Sequence, residues 1–450
     1  MMKLNYKRTI HTSFVFFTIC MAFQLMDTYL PVFLSDMLVR NYGGSSTEHS
    51  YIIGLILAAG NIFSLITIPL ISVLSDKTKS SYGKRTPYIV WGVFTQIIMF
   101  PILPILYMAN YLGWFIAVMI LSVLIINTYR VPVVSLMPDV TPKPLRNKAN
   151  SIVYFIGYLG MVFASILAII FPVNLDSSGM LNYNPNTLWI PFVVTMALMF
   201  ISVLVTVAKI NENKLAISMR KEMELGERIA ETDAKLYKNQ KLTSVDKRNI
   251  IAILFALLFW NIGFVVVQNY GSLFGLEVLG VDTRWWGIMS IIITLVGMIS
   301  FIPAGHIADK IGRKNTLVTG LCLLMVSIGV GCFVRATWVF YIIAAVAGVG
   351  WAIVNVISYP MVVEFATNKS VGWFTSQYYF FKGIGVALTP ILASVFFAIF
   401  GYEALFVYAT IFLAISTLCA VFYKVPEQHK EDEEEKLKPD TSNSKFWEDY

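Results

Sequence analysis

The sequence predicts an all-α integral membrane protein whose twelve transmembrane helices form two pseudo-symmetric six-helix bundles, and three observations predict it. The first is composition: 57% of the 450 residues are hydrophobic and 14% are charged, whereas a soluble domain carries roughly 45–50% apolar and about 25% charged residues. The second is the length of the apolar runs. Crossing about 30 Å of hydrocarbon takes about 20 helical residues, and twelve runs of that order stand at 12–34, 51–74, 88–108, 113–137, 149–171, 189–209, 249–270, 285–304, 316–334, 338–363, 373–398 and 403–423. They are rich in Leu, Ile, Val and Phe, do not alternate, and are about twice the length of a barrel strand, which excludes a transmembrane β-barrel. The third is a repeated polar hinge. Leu74-Ser-Asp-Lys-Thr-Lys-Ser-Ser-Tyr-Gly-Lys-Arg-Thr-Pro87 separates runs two and three, and Gly305-His-Ile-Ala-Asp-Lys-Ile-Gly-Arg-Lys314 separates runs eight and nine.

The first run follows Lys3, Lys7 and Arg8, but it exceeds twenty residues and has no small-x-small cleavage pattern, so it is expected to stay as span 1. Cys20, Cys322, Cys332 and Cys419 all lie inside apolar runs without metal spacing and read as packing residues. A net charge of +7 would suggest a nucleic-acid partner in a soluble chain; here the cations have a topological address instead. Three of the 34 Lys and Arg (Arg40, Arg284, Arg335) fall in loops on one side, Arg130 and Lys382 fall within spans, and the remaining 29 fall on the other side. The positive-inside rule then puts both termini in the cytoplasm, and the plasma membrane is the expected location.

Between spans 6 and 7, residues 209–248 mix ten cations with seven acids and read as a solvated linker. It divides the chain into an N-terminal bundle (1–208), the linker (209–248) and a C-terminal bundle (249–424). The tail 425–450, with the acidic run Glu431 to Glu435, is expected to be disordered and without a substrate role. Each half carries a hinge after its second span, and Pro132 to Asp139 in span 4 is echoed by Tyr359, Pro360 and Glu364 in span 10.

The second hinge matches Gly-x-x-x-Asp-(Arg/Lys)-x-Gly-Arg-(Arg/Lys) at every specified position, so the chain resembles the major facilitator superfamily of secondary transporters. The first hinge, with a longer gap from Asp76 to Gly83 and the added Arg85-Thr-Pro87, is similar to the sugar-cation symporter branch. The stretch from Tyr129 to Asn150, together with Tyr359 to Glu364, Gly372 to Tyr379 and Pro390, is similar to disaccharide-proton symporters related to the plant sucrose carriers. More distantly, it is similar to the glycoside-pentoside-hexuronide cation symporters. The resemblance implies the major facilitator fold, with halves that rock around a midplane site. It also implies gating: Asp76 and Asp309 accept from helix N-termini of the opposite half, while Arg85, Arg146 and Arg313 pair with Asp139 and Glu364 when the cytoplasmic side closes. Such exposed pairs contribute about 0–1 kcal/mol and so bias a two-state equilibrium. Plain topological charges are the simpler alternative for the loop acids.

Charges inside the membrane cost at least about 2.5–3.5 kcal/mol each, and the chain keeps Asp27, Arg130 and Lys382. Gln24, Asp27 and Thr28 share one face of span 1, which makes Asp27 either the coupling carboxylate or a partner for a buried cation. Arg130 shares a face with Asn127, as a substrate ligand or as a lock within the N-half. Lys382, where the related symporters are usually neutral, either selects an anionic glycoside or serves as a counter-ion. Sugar sites combine aromatic faces with amides and carboxylates. The candidate stripes are Trp260, Asn261, Phe264 and Gln268; Trp351, Asn355 and Ser358; Asn150, Tyr154 and Tyr158; and Tyr379 near Lys382. Packing or an interfacial belt is the alternative for each aromatic. Related symporters often have a carboxylate near Gln268, and its absence shifts coupling to Asp27.

No Walker loop, metal-binding His/Glu pair or nucleophile elbow is present, so nothing in the sequence supports ATP-driven transport or an intramembrane enzyme. The expected function is symport of a sugar or glycoside with a proton or sodium ion as the coupling ion, with no organic cofactor. The lipid bilayer is the surrounding partner, no nucleic-acid partner is expected, and the chain is expected to be a monomer. A drug or metabolite antiporter is the first alternative, and a non-transporting membrane sensor the second.

Overall fold

The computed structural model describes residues 4–176, 180–235, 244–365 and 371–423. The acidic tail and residues 236–243 of the linker lie outside these described residues. The first half contains α1 (Tyr6–Tyr42), α2 (Ser50–Lys77), α3 (Thr86–Met108), α4 (Leu112–Asp139), α5 (Arg146–Ile170) and α6 (Ile190–Lys209). The linker holds α7 (Glu212–Ser218) and α8 (Arg220–Lys235). The second half contains α9 (Ser244–Glu277), α10 (Thr283–Ile311), α11 (Arg313–Val330), α12 (Thr337–Val363), α13 (Val371–Phe400) and α14 (Leu405–Val421). Among the described residues, twelve helices are long and apolar enough to cross a membrane, α7 and α8 being the two that are not.

Several helices outrun their apolar segments: α1 covers Tyr6–Tyr42 around the run 12–34, and α9 covers Ser244–Glu277 around 249–270. Hydropathy stops at the hydrocarbon edge, but the backbone ladder continues for as long as it satisfies its own N–H and C=O groups. Local signals set the starts. Asn5 accepts from Arg8 N at α1, Asp282 accepts from Arg284 N at α10, and Pro87 occupies the first turn of α3. Between α5 and α6, β1 (Asn174–Leu175) pairs antiparallel with β2 (Leu181–Asn182), Asn174 opposite Asn182. No alternation in the sequence predicts so short a ribbon.

Within the first half, α1 packs on α4, α5 and α6, and α4 on α2 and α3. Within the second, α12 packs on α10 and α11, and α14 on α9 and α11. The halves meet along α2–α13, α5–α10 and α1–α9. At Gly54 the backbone of α2 comes so close to α13 that an added Cβ would collide with the Pro390 carbonyl and Ser394.

These contacts fix the faces. The start of α2 lies against the end of α13, with Ser50 Oγ donating to Ser394 O at 3.2 Å. The end of α5 meets the start of α10, where Thr283 N donates to Val173 O at 3.0 Å and Val173 N donates to Thr283 Oγ1 at 3.1 Å. Ser46 and Tyr402 hydroxyls lie 3.4 Å apart at the same level. The loops after α1, α5, α9 and α13 therefore share one face, here the sealed face. The two hinges, at the ends of α2 and α10, share the other, the hinge face.

Candidate functional site

Asp27 sits part-buried on α1, and Gln24 is buried one turn earlier. Thr28 is satisfied by its own helix, its hydroxyl donating to Gln24 O at 2.8 Å. Asp27 makes no hydrogen bond or ion pair with any described residue. Phe23, one turn before Asp27, lies beneath the guanidinium of Arg130, 5.8 Å from ring centroid to Cζ. Arg130 comes from α4 of the first half and Lys382 from α13 of the second, and the two lie within electrostatic reach of each other. Neither forms an ion pair among the described residues. Two cations from opposite halves thus converge between the bundles, with no carboxylate bridging them among the described residues, and Asp27 stands one turn along α1 from the Phe23 ring that lies under Arg130.

An aromatic wall stands beside them. Tyr158 stacks on Phe301 at 5.7 Å and meets Trp351 edge-on at 5.3 Å. Tyr154 packs 6.2 Å from Tyr158; Trp351 continues through Phe264 at 6.3 Å to Trp260 at a further 6.1 Å. Helices α5, α9, α10 and α12 all contribute, so residues from both halves line one surface. Tyr379 is exposed on α13 and faces Tyr154 across the halves. The amides of Asn127 and Asn355 each donate to the carbonyl four residues earlier, at 3.1 and 2.8 Å, which leaves their oxygens to accept. Asn261 does the same at 2.7 Å, but it is buried against Gly385 inside the second half. Trp260 is buried with its indole N–H unpartnered among the described residues, and Gln268 is part-buried on α9.

At the hinge face, Arg85 is buried while its guanidinium reaches three partners: Ser75 Oγ at 2.5 Å, Asp139 Oδ2 at 2.9 Å, and Asp76 in a short ion pair. Lys84 adds a second cation to Asp139 at 3.1 Å. Arg313 pairs with Glu364 at 3.2 Å. Arg146 departs from the implied gate and donates instead to Pro138 O at 2.9 Å and Thr141 O at 3.1 Å, which ties off the end of α4. Asp76 likewise departs from it, bonding Arg85 of its own half rather than a helix N-terminus across the gap, and Asp309 is exposed. Every ion pair at this face that joins described residues stays within one half, within the linker, or between a half and the linker.

The sequence singled out neither Phe301 nor Glu212. Phe301 carried a signal, being the lone aromatic after Trp286 in its span. Glu212 carried none, as one of seven linker acids. Asp36 lies two residues beyond the first apolar run and so gives no intramembrane signal in the sequence. It is buried, and it binds Arg40 at 2.7 Å, Tyr107 at 2.7 Å and Leu181 N at 2.8 Å on the sealed face.

A difference between the two carboxylates on Arg85 follows from their exposure. The Asp76 carboxylate is 55% exposed and that of Asp139 is 25% exposed with two cations on it. Asp76→Asn is expected to cost about 0–1 kcal/mol and Asp139→Asn about 1–3 kcal/mol, as for a charge-assisted partner withdrawn from a buried cation. Thermal unfolding in detergent of the two variants side by side checks the order; an equal or reversed cost contradicts it.

A family model described as MFS/sugar transport protein matches residues 16–440. An isoprimeverose transporter of Lactiplantibacillus pentosus is 20% identical over 324 residues, which is 68% of this chain and 60% of that relative, so the similarity spans about three fifths of the relative's length. Among solved structures, a D-xylose-proton symporter matches with a TM-score of 0.68 at 15% identity over 94% of this chain and 99% of that one. An inward-open xylose transporter XylE from E. coli matches at 0.67 and 15% identity over 93% and 95%. A variant of the nucleoside transporter NupG matches at 0.62 and 15% identity over 92% and 98%. At such identities the likeness to solved structures establishes the fold.

Proposed function

This chain belongs to the MFS/sugar transport protein family of multi-pass membrane transporters, and on that premise we propose that it is a symporter. In this reading it carries a sugar or glycoside together with a proton or sodium ion by alternating access, as a monomer in the plasma membrane. The hinge face holds most of the basic residues, together with the start of α1 and the end of α14, and is the cytoplasmic face. The carrying observation is the space between the halves, where aromatic faces from both bundles meet two cations, with the amide acceptors Asn127 and Asn355 one turn from Arg130 and Trp351. Rings stack on the C–H faces of a sugar and the amide oxygens accept from its hydroxyls. Similarity to an isoprimeverose transporter and to a D-xylose-proton symporter supports a sugar substrate. Export of lipophilic cations fits less well, because Arg130 and Lys382 both face the same space and would repel them.

Asp27 carries the coupling ion in this proposal, since a part-buried carboxylate without a partner among the described residues is free to exchange one. One charge moving down about 100 mV supplies about 2.3 kcal/mol, enough for roughly 50-fold accumulation of a neutral solute. Asp27→Asn keeps shape and hydrogen bonding but cannot titrate or hold a cation. Counterflow in proteoliposomes is expected to persist in this variant, while uphill uptake and its dependence on the ion gradient disappear. Full concentrative uptake by the Asn variant would make Asp27 structural.

Lys382 sets charge selectivity. With no carboxylate on it among the described residues, the group that matches it is expected to arrive on the substrate. Lys382→Gln should therefore weaken binding of a nitrophenyl glucuronide while sparing the corresponding neutral glucoside, read by thermal stabilisation of purified protein. Equal loss for both glycosides would assign Lys382 to the fold.

A further inference from the structure

The start of α3 presents a capping problem that its own sequence does not solve. Its N-cap residue, Arg85, makes no side-chain cap bond, and Pro87 has no N–H to offer. The orphan donors are the backbone N–H groups of Arg85 and Thr86, both residues being buried. A residue 126 positions away supplies the acceptor: the Glu212 carboxylate, from the linker, accepts from Arg85 N at 3.0 and 3.2 Å, from Thr86 N at 2.6 Å and from Thr86 Oγ1 at 2.6 Å. Gly83 makes room for it. With φ at +112°, its backbone suits glycine alone, and a Cβ there would strike the Glu212 side chain.

The docking is anchored on both sides of Glu212. Ile210 is buried two residues earlier, and Asn213 donates to Ser80 O at 3.0 Å and Ser81 O at 2.8 Å. Arg8 of α1 reaches Met219 at 2.7 Å, and Gly226 rests on Pro142 and Pro144. Among the described residues the second hinge has no counterpart: Gly312 caps α11 without a side-chain bond, and the Arg313 side chain is 51% exposed and pairs with Glu364. The hinge that the linker touches is the one whose arginine is buried and held by two carboxylates.

We propose that Glu212 is a positioning residue of the first hinge, a linker carboxylate that fixes the backbone of Arg85 and so keeps its guanidinium on Asp76 and Asp139. The linker is then more than a tether. It moves with the first half and sets how firmly that hinge is held when the halves change partners, a consequence that rests on the alternating-access reading given above.

Amide hydrogen exchange on the full-length protein tests the positioning without any substrate, so its outcome is independent of that reading. In Glu212→Ala, exchange is expected to rise about tenfold or more at residues 85–88 and also at residues 134–139, the end of α4 that Arg85 holds. Glu212→Gln, which keeps an acceptor but loses the charge, should fall between. Asn213→Ala, which frees the linker from Ser80 and Ser81 and leaves the carboxylate in place, should leave 134–139 as in wild type. In an Arg85→Lys background, Glu212→Ala should add nothing further at 134–139, because the effect passes through Arg85. Faster exchange confined to 85–88, or an undiminished effect in the Lys background, would make Glu212 a helix cap alone and overturn the proposal.

Discussion

Arg130 and Lys382, cations from opposite halves, face each other between the bundles without a carboxylate on either among the described residues, and that imbalance is the constraint the site has to meet. Each such charge would cost at least about 2.5–3.5 kcal/mol in hydrocarbon, so the space around Asp27, Arg130 and Lys382 has to be kept polar or filled by something polar. Phe23 under Arg130 and the wall of Tyr158, Phe301 and Trp351 supply apolar surface and ring faces to that space. The cations come from different helices of different halves, so whatever neutralises both also draws the halves together. That links loading of the site to the rigid-body motion that the fold permits.

The two faces are tied by different chemistry. On the sealed face the halves are joined by neutral hydrogen bonds, among them Ser46 with Tyr402, Ser50 with Ser394 and Val173 with Thr283, and by the close approach at Gly54. Each such bond contributes about 0.5–1.5 kcal/mol, a scale comparable with the free energy of one charge crossing a membrane potential. On the hinge face, the ion pairs of Arg85 and Arg313 serve their own halves. Nothing in that arrangement is deep enough to trap one state, which suits a molecule that must exchange between two.

The fold was legible because its cause is local. Twelve apolar runs, a charged hinge repeated at the same place in each half and a basic bias to one side leave little room for another architecture. The site was legible in part. Asp27, Arg130 and Lys382 stood out because a membrane makes any retained charge conspicuous, and Tyr154, Tyr158 and Trp351 stood out by helical spacing. Asn261 shared that spacing yet is packed against Gly385, since periodicity gives a face but not which neighbour covers it. Glu212 was invisible for the opposite reason: its role depends on a fold that returns the linker to α3, and no local pattern encodes such a contact.

Pulsed electron-electron distance measurement between the halves tests the central claim most directly. One spin-label pair would sit at Tyr82 and Asn315 on the hinge face and another at Tyr42 and Glu403 on the sealed face, in a background without the four native cysteines, in lipid nanodiscs. With the coupling ion and a glycoside taken up in counterflow, a population is predicted in which the hinge-face distance shortens and the sealed-face distance lengthens together. Distances that stay unchanged at both faces, or that move in the same direction, would contradict alternating access around this site.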